Sequence, residues 1–349
     1  MHIGKVDLGE KPVFLAPMED VTDPSFRFLC KQYGADMMYT EFISSDGLIR
    51  DSGKSLKKLE FDEAERPLGI QIYGHLIEPM VEAARIAATA NPDVIDINFG
   101  CPVKKIAGRG AGSGMMRNVP LLIAITDAIV KAVDIPVTVK TRLGYDDENK
   151  NIEEIAERLQ DIGIKALTIH GRTRSQMYKG QADWSLIGKV KNNPRITIPI
   201  IGNGDVDSPQ KAKQMFDNYG VDAIMIGRAT VGRPWIFKEV KHYLQTGELL
   251  NSPMVSEVVD LARLHLAKSL EWKGDRTGIL EMRRHLSNYF KGLANFKETR
   301  LKLVTTSDPE EISLLLDYVL ATWGDVRTQQ PNGFTMEKWN NKEDMQSEE

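Results

Sequence analysis

The chain has 349 residues, 42% hydrophobic and 27% charged, with a formal net charge of −4; this is ordinary for a globular protein with room for one large domain and a smaller one. Two cysteines, Cys30 and Cys101, exclude a disulfide-built scaffold, and no run approaches the roughly 20 apolar residues of a membrane span. No signal-peptide stretch stands at the start, so the expected location is the cytoplasm, and a mildly acidic total means that nucleic-acid binding has to rest on a local patch.

Eight short β-rich runs recur in chain order, at residues 13–18, 37–43, 67–73, 94–100, 136–142, 166–172, 199–205 and 223–229. Helix-like segments lie between most of them, for example 78–90, 120–133, 152–162 and 209–219. Strands alternating with helices imply right-handed βαβ units and a parallel sheet. The predicted fold class is therefore α/β, a TIM (β/α)8 barrel, with a doubly wound open sheet as the alternative. Past "GRATVGRPWIF" the apolar period turns helical, with Ile279, Met282, Leu286, Tyr289 and Leu293 at steps of three and four. Asp308 and Pro309 read as the N-cap and first position of a further helix running through Trp323. A small all-helical C-terminal domain is expected to follow the barrel, with limits at 1–245 and 246–328 and a loosely held polar tail over 329–349.

The runs share a polar or glycine-rich C-terminal edge: Met18-Glu19-Asp20, Glu41, Gln71, Asn98 with Cys101, Lys140 with Arg142, His170 with Arg172, Asn203 with Asp205, and Gly227-Arg228. One such end is usually a turn, but eight gathered at one mouth predict an active site. "IIGNGDV" and "IMIGRATVG" end runs seven and eight, where barrels commonly hold phosphate, so a phosphate-bearing cofactor such as flavin mononucleotide fits. Lys140 reads as a cation beside a flavin ring, as a Schiff-base amine, or as half of an ion pair. His170 faces the same mouth and reads as a ligand contact. No carboxylate–histidine cluster has metal-ligand spacing, so no metal is expected, and a GxGxxG after the first strand is lacking. Cys30, on an apparent helix, reads as buried and inert. Cys101 sits in the mouth between a glycine and a proline, and both nucleophile and general acid remain open for it.

"LAPMEDVTDPSFR", "IQIYG", "DINFGCPVKK" with "GRGAGSG", "PVTVKTRLG", "LTIHGRTRSQMYKGQADW", "IGNGDV" and "MIGRATVGRPWIF" together resemble the tRNA-dihydrouridine synthases of the bacterial branch. The resemblance covers about residues 13–237 and continues more weakly through "EMRRHLSNYFKGL". It implies an enzyme that reduces the C5=C6 bond of selected tRNA uridines with flavin mononucleotide, NADPH being the usual electron source. Ala16, Pro17, Met18, Gln71, Lys140, His170, Asn203, Gly204, Asp205, Gly227 and Arg228 match its flavin positions. Cys101 matches its general acid, which protonates uracil C5 after hydride reaches C6. Asn98 and Tyr178 are similar to its contacts to the base. Glu19-Asp20 departs from the Ala-Gly often found there, which bears on the entrance near the first strand.

Local charge supports an RNA partner. Residues 263–302 carry ten Lys and Arg against four acids, Arg283 and Arg284 among them, and Lys104, Lys105 and Arg109 offer a second contact beside Cys101. As a bare charge run this would be a solvated helix face. Competing readings are a flavin barrel for a free pyrimidine, an RNA-binding barrel without catalysis and, more remotely, a Lys140 aldolase. No membrane or obligate protein partner is indicated.

Overall fold

The structure is a computed structural model that describes residues 1–329, so the polar tail expected at 329–349 lies outside it apart from Gln329. All eight predicted strands form: β1 (Val13–Leu15), β2 (Met38–Tyr39, resuming at Ile43–Ser44), β3 (Leu68–Tyr73), β4 (Val94–Asn98), β5 (Val137–Arg142), β6 (Ala166–His170), β7 (Ile200–Asn203) and β8 (Ala223–Ile226). Each pairs in parallel with its sequence neighbour. The ring closes where β8 pairs with β1 and Phe14 bridges Met37 of the run before β2. This is the TIM barrel and not the doubly wound sheet. Most strands stop short of their predicted ends because the terminal residues leave the ladder to form the mouth; Gly204 takes φ 123° and Asp205 φ 56° immediately after β7.

Eight helices follow the eight strands: α1 (Pro24–Gln32), α2 (Ser45–Ile49), α3 (Ile77–Thr89), α4 (Val119–Ala132), α5 (Ile152–Asp161), α6 (Ser185–Lys191), α7 (Pro209–Tyr219) and α8 (Ile236–Thr246). Capping is local chemistry: the side chains of Asp23, Asn118 and Ser208 accept backbone N–H bonds at the starts of α1, α4 and α7, each with proline in the first turn. The apolar stripes of these helices bury against outward strand residues such as Ile70, Ile95, Val139, Ile169 and Ile224. Each such side chain contributes about 1.5–3 kcal/mol of burial.

Inward residues divide into two zones. Phe14, Met37, Tyr39, Val94, Ala166, Ile201, Ala223 and Met225 fill the lower barrel, joined by Ile3 and Leu8. The chain start forms a two-stranded hairpin, His2–Ile3 with Val6–Asp7, that covers this N-terminal end. Above this apolar plug the inward positions are polar, so the strands set out functional groups on a packed base.

Beyond α8 the chain is mostly helical from Val255 to Trp323, as the change of period predicted. α9 (Val255–Tyr289) is broken at Gly274, whose φ 74° and ψ 170° are non-helical. α10 (Lys297–Thr305) and α11 (Pro309–Trp323) complete the region, with Asp308 capping α11 as expected. Ile279, Met282, Leu286 and Tyr289 are buried in its core and Leu293 packs against it, although Leu293 falls after the helix. The region meets the barrel at α1, where Leu29 joins its core and buried Asp23 and Lys273 pair at 2.7 Å. Cys30 is fully buried on α1.

Candidate active site

Strand register sets the floor of the mouth. Asn98 of β4 lies level with Lys140 of β5, while Arg142 is level with His170 of β6 and His170 with Asn203 of β7. Side chains two apart share a face, so Asp96 with Asn98, and Thr138 with Lys140 and Arg142, all point inward. They form one network: Asp96 accepts from Gln71 Nε2 at 2.6 Å and Thr138 Oγ1 at 2.6 Å, and Asn98 Nδ2 donates to Gln71 Oε1 at 2.9 Å. Burial pushes the Asp96 carboxyl up to about 6, against the pull of these bonds and of Lys140. Burial, then Arg142, brings the Lys140 ammonium down to about 8. Lys140 is thus still mostly charged at neutral pH.

The thiol wall hangs from Asn98. Its Oδ1 accepts from the backbone N–H of both Gly100 and Cys101 at 2.9 Å, while the Cys101 carbonyl accepts from Ser113 N and Oγ, fixing the turn that presents the sulfur. Cys101 is 8% exposed. Burial pushes its thiol above the ordinary value, opposed by the Val103 N–H and by the charges of Arg142 and Lys140. At neutral pH the sulfur keeps its proton, which favours the acid over the thiolate nucleophile.

The opposite wall is cationic. Asp205 takes a bidentate pair from Arg172, at 2.9 and 2.8 Å, and a third bond from Arg228 at 2.8 Å, so two arginines share one carboxylate. Arg142 donates to the carbonyls of Gly100, Thr173 and Met177, and burial lowers its guanidinium to about 10, still charged. Arg142 and Arg228 both face the ring of Tyr178, at 5.5 and 5.4 Å from its centroid. His170 is buried among these cations; burial and Arg142 hold its imidazole neutral, and its Nδ1 has no hydrogen-bond partner.

These walls enclose a cavity of about 890 Å³, at the upper end of the range of small-molecule sites. Of the expected site residues, Ala16, Pro17, Met18, Asn98, Cys101, Lys140, His170, Tyr178, Asn203, Gly204, Asp205, Gly227 and Arg228 line it. Gln71 does not: it is fully buried below, holding Asp96 and Asn98. The Asp205 carboxylate is engaged by Arg172, Arg228 and the Ala182 N–H, and Asn203 Nδ2 by the Met225 carbonyl. Lys104 and Lys105 stand exposed on the rim. Arg283 donates to the carbonyls of Thr305 and Thr306 and to Ser307, and Arg284 to the carbonyl of Asp20. Asp96, Arg142, Arg172 and Phe42 were not among the expected ligands; the period of two from Asn98 and Lys140 was a signal for Asp96 and Arg142.

Glu19 lines the cavity too. Its carboxylate, Glu41 and exposed Asp20 bring oxygens within 4.8 Å of one another. Lys58 Nζ lies 2.5 Å from Glu19, and the Asp20 N–H donates to Glu41, which ties the group into the fold. Burial raises Glu19 to about 7 against the pull of Lys58.

A parallel eight-stranded barrel whose mouth holds a buried thiol among four cations has the architecture of a barrel enzyme, and known structures share it. Morphinone reductase in complex with tetrahydroNAD superposes with a TM-score of 0.51 at 14% identity, over 72% of this chain and 91% of that one. The old yellow enzyme homologue from Zymomonas mobilis gives 0.51 at 13%, over 72% and 93%. At these identities the likeness is one of fold. Sequence goes further: the family model described as Dihydrouridine synthase (Dus) matches residues 14–321. The tRNA-dihydrouridine synthase B of Pseudomonas aeruginosa is 40% identical over 89% of this chain and 92% of its own, and that of Xanthomonas campestris pv. campestris 43% over 91% and 95%. A probable tRNA-dihydrouridine synthase of Rickettsia conorii is 38% identical over 88% and 93%. The chain belongs to the dihydrouridine synthase family, and the protein is an oxidoreductase.

Proposed function

We propose that the protein reduces the C5=C6 bond of particular uridines in tRNA to dihydrouridine, using flavin mononucleotide held in the mouth cavity and NADPH as reductant. The observation that carries this reading is the Cys101 thiol, kept protonated by burial on the wall of a cavity whose floor bears Lys140 and Arg142. The residues present fit the cofactor. His170 has an unpartnered buried Nδ1 on the cavity wall, Gly204 and Gly227 expose backbone beside it, and Arg172 with Arg228 keeps one net positive charge after Asp205, as a phosphate requires. Ala16, Pro17 and Met18 supply wall on the β1 side. Lys140 would hold negative charge on the ring, while Gln71 and Asp96 keep the floor rigid beneath it. When bound, a reduced flavin supplies the hydride for uracil C6.

The remaining steps belong to the chain. Asn98 and Tyr178 orient the base, and Cys101 gives its proton to C5. The S–H bond breaks as the C5–H bond forms, and the electron pair stays on sulfur as a thiolate. Arg142 and Lys140, the charges that favour ionised Cys101, stabilise that thiolate. The barrel over 1–245 is the catalytic unit in this reading, and the helices over 246–328 bind tRNA, with Lys104 and Lys105 meeting its phosphates beside the mouth. Arg283 and Arg284 act through the surface they hold together. Unstacking a loop base costs at most a few kcal/mol, which phosphate contacts offset. The Cys101→Ala protein is expected to retain flavin and tRNA but to form dihydrouridine roughly 10²–10⁴-fold more slowly. Formation at the wild-type rate would remove Cys101 from the mechanism.

A further inference from the structure

The loops after β4, β5 and β6 build a second feature outside the cavity. Tyr145, just past β5, has the Arg117 guanidinium 4.0 Å from its ring centroid and the Arg174 guanidinium 5.3 Å from it. Arg117 ends the helical turn Gly112–Arg117 and is exposed. The strap carrying Arg174 is fixed, its N–H bonded to the Gly144 carbonyl and the next N–H to the Tyr145 carbonyl, and Arg174 Nε is buried without a partner. Lys104, Lys105 and Arg109 stand exposed in the loop after Cys101, and Lys179 borders the cavity. Among the described residues none of these six cations forms an ion pair. A guanidinium held over an aromatic ring and without an acidic partner at a surface is a ready partner for a base face.

Position selects the partner. The helical region grips the mouth from the β1 and β2 side, through Arg284 to Asp20, Lys273 to Asp23 and Lys57 to the Trp272 carbonyl. The loops of β4 to β6 lie across the mouth from those contacts, in reach of a polyanion that rests on the helices with one base in the cavity. The acids there refine what lands. Asp146 bonds Asn149, Asp147 pairs with Lys150, and Glu148 is exposed. These charges disfavour a phosphate at Tyr145 and leave an uncharged base face as the better occupant.

We propose that Arg117, Tyr145 and Arg174 form a stacking platform for an unpaired base of the substrate RNA next to the target uridine, with Lys104, Lys105 and Arg109 on the adjoining phosphates. This rests on the RNA-substrate reading above. The test is the dissociation constant of tRNA for the flavin-loaded full chain across a salt series, for Arg117→Ala and Arg117→Lys, with melting temperatures to verify folding. Stacking contributes about 1–3 kcal/mol per base, so Arg117→Ala is expected to weaken binding by roughly 5–150-fold while leaving the salt slope unchanged, since a stacked guanidinium neutralises no phosphate. Arg117→Lys is expected to keep the slope but not the affinity. Wild-type affinity in folded Arg117→Ala would overturn the platform, and a salt slope lowered by about 1 in that variant, or full affinity in Arg117→Lys, would show a phosphate contact in place of stacking. If wild-type protein binds tRNA yet never reduces it, the functional reading fails and the platform does not.

Discussion

Among single residues, the chemistry depends on which groups hold a proton. Cys101 lies above its ordinary value because it is buried, and Lys140 falls to about 8 for the same reason acting on a cation. Lys140 therefore loses its charge as pH rises through about 8, before the thiol ionises. Dihydrouridine formation is expected to decline above pH ~8 in the wild type, with the limb displaced upward in Arg-for-Lys protein (Lys140→Arg), whose guanidinium stays charged. A pH–rate profile under single-turnover conditions reads this directly, and an unmoved limb would show that another group sets it. Asn98 illustrates how a residue's context decides its work: one side chain anchors the Cys101 turn and links to Gln71, so its proposed contact to the base and its structural task share the same amide.

At the scale of elements, the packing of α1 against α9 holds two fully buried histidines. His265 Nδ1 meets the Tyr289 hydroxyl at 2.8 Å and its ring stacks on Phe26, while His285 packs on Phe26 and on His265. Asp23 and Lys273 lie beside them. Burial lowers His265 to about 4 and His285 well below its ordinary value. A base with a depressed folded pKa contributes stability that is present above its unfolded value, near 6.5, and lost as pH falls toward the folded one. For His265 that amounts to on the order of 3 kcal/mol by pH 4. Replacing both histidines with Asn should lower the melting temperature at pH 7 yet flatten its fall between pH 6.5 and 4; an unchanged slope would place the sensitivity elsewhere. None of this interface was legible in the sequence, because His265 and His285 stand on either side of the Gly274 break and nothing local shows that the path of the chain brings both onto α1.

The elements themselves were far more legible. Alternating runs and caps such as Asp308-Pro309 located β1 to β8, α7 and α11 closely, since these signals are local. The N-terminal hairpin was not, because "HIGKVD" offers only two residues per strand and gains stability from capping the barrel. Nor was the break in α9: Gly274 is permissive, but only the path of the chain demands its φ of 74°. In the site, the ends of strands identified the mouth, and most expected residues do line it. What the sequence hid was partnership. That Asp205 is held by two arginines, and that Gln71 lies beneath the cavity, depends on strand register across the ring and not on any motif.

At the scale of the whole molecule, an acidic total hides a polarised surface. Residues 263–302 carry ten Lys and Arg against four acids, of which Arg263 and Lys273 are paired with acids, Lys104, Lys105 and Arg109 stand exposed after Cys101, and Lys140, Arg142, Arg172 and Arg228 line the cavity. That distribution suits a large polyanion better than a free pyrimidine, because a small neutral base needs no basic rim. Incubating unmodified tRNA with the flavin-loaded protein and NADPH, digesting it and weighing its nucleosides separates the two substrates. Particular uridines are expected to gain two hydrogens, while free uracil and orotate given in place of tRNA are left unreduced. Unaltered tRNA together with ready reduction of a free pyrimidine would rule out tRNA as the substrate.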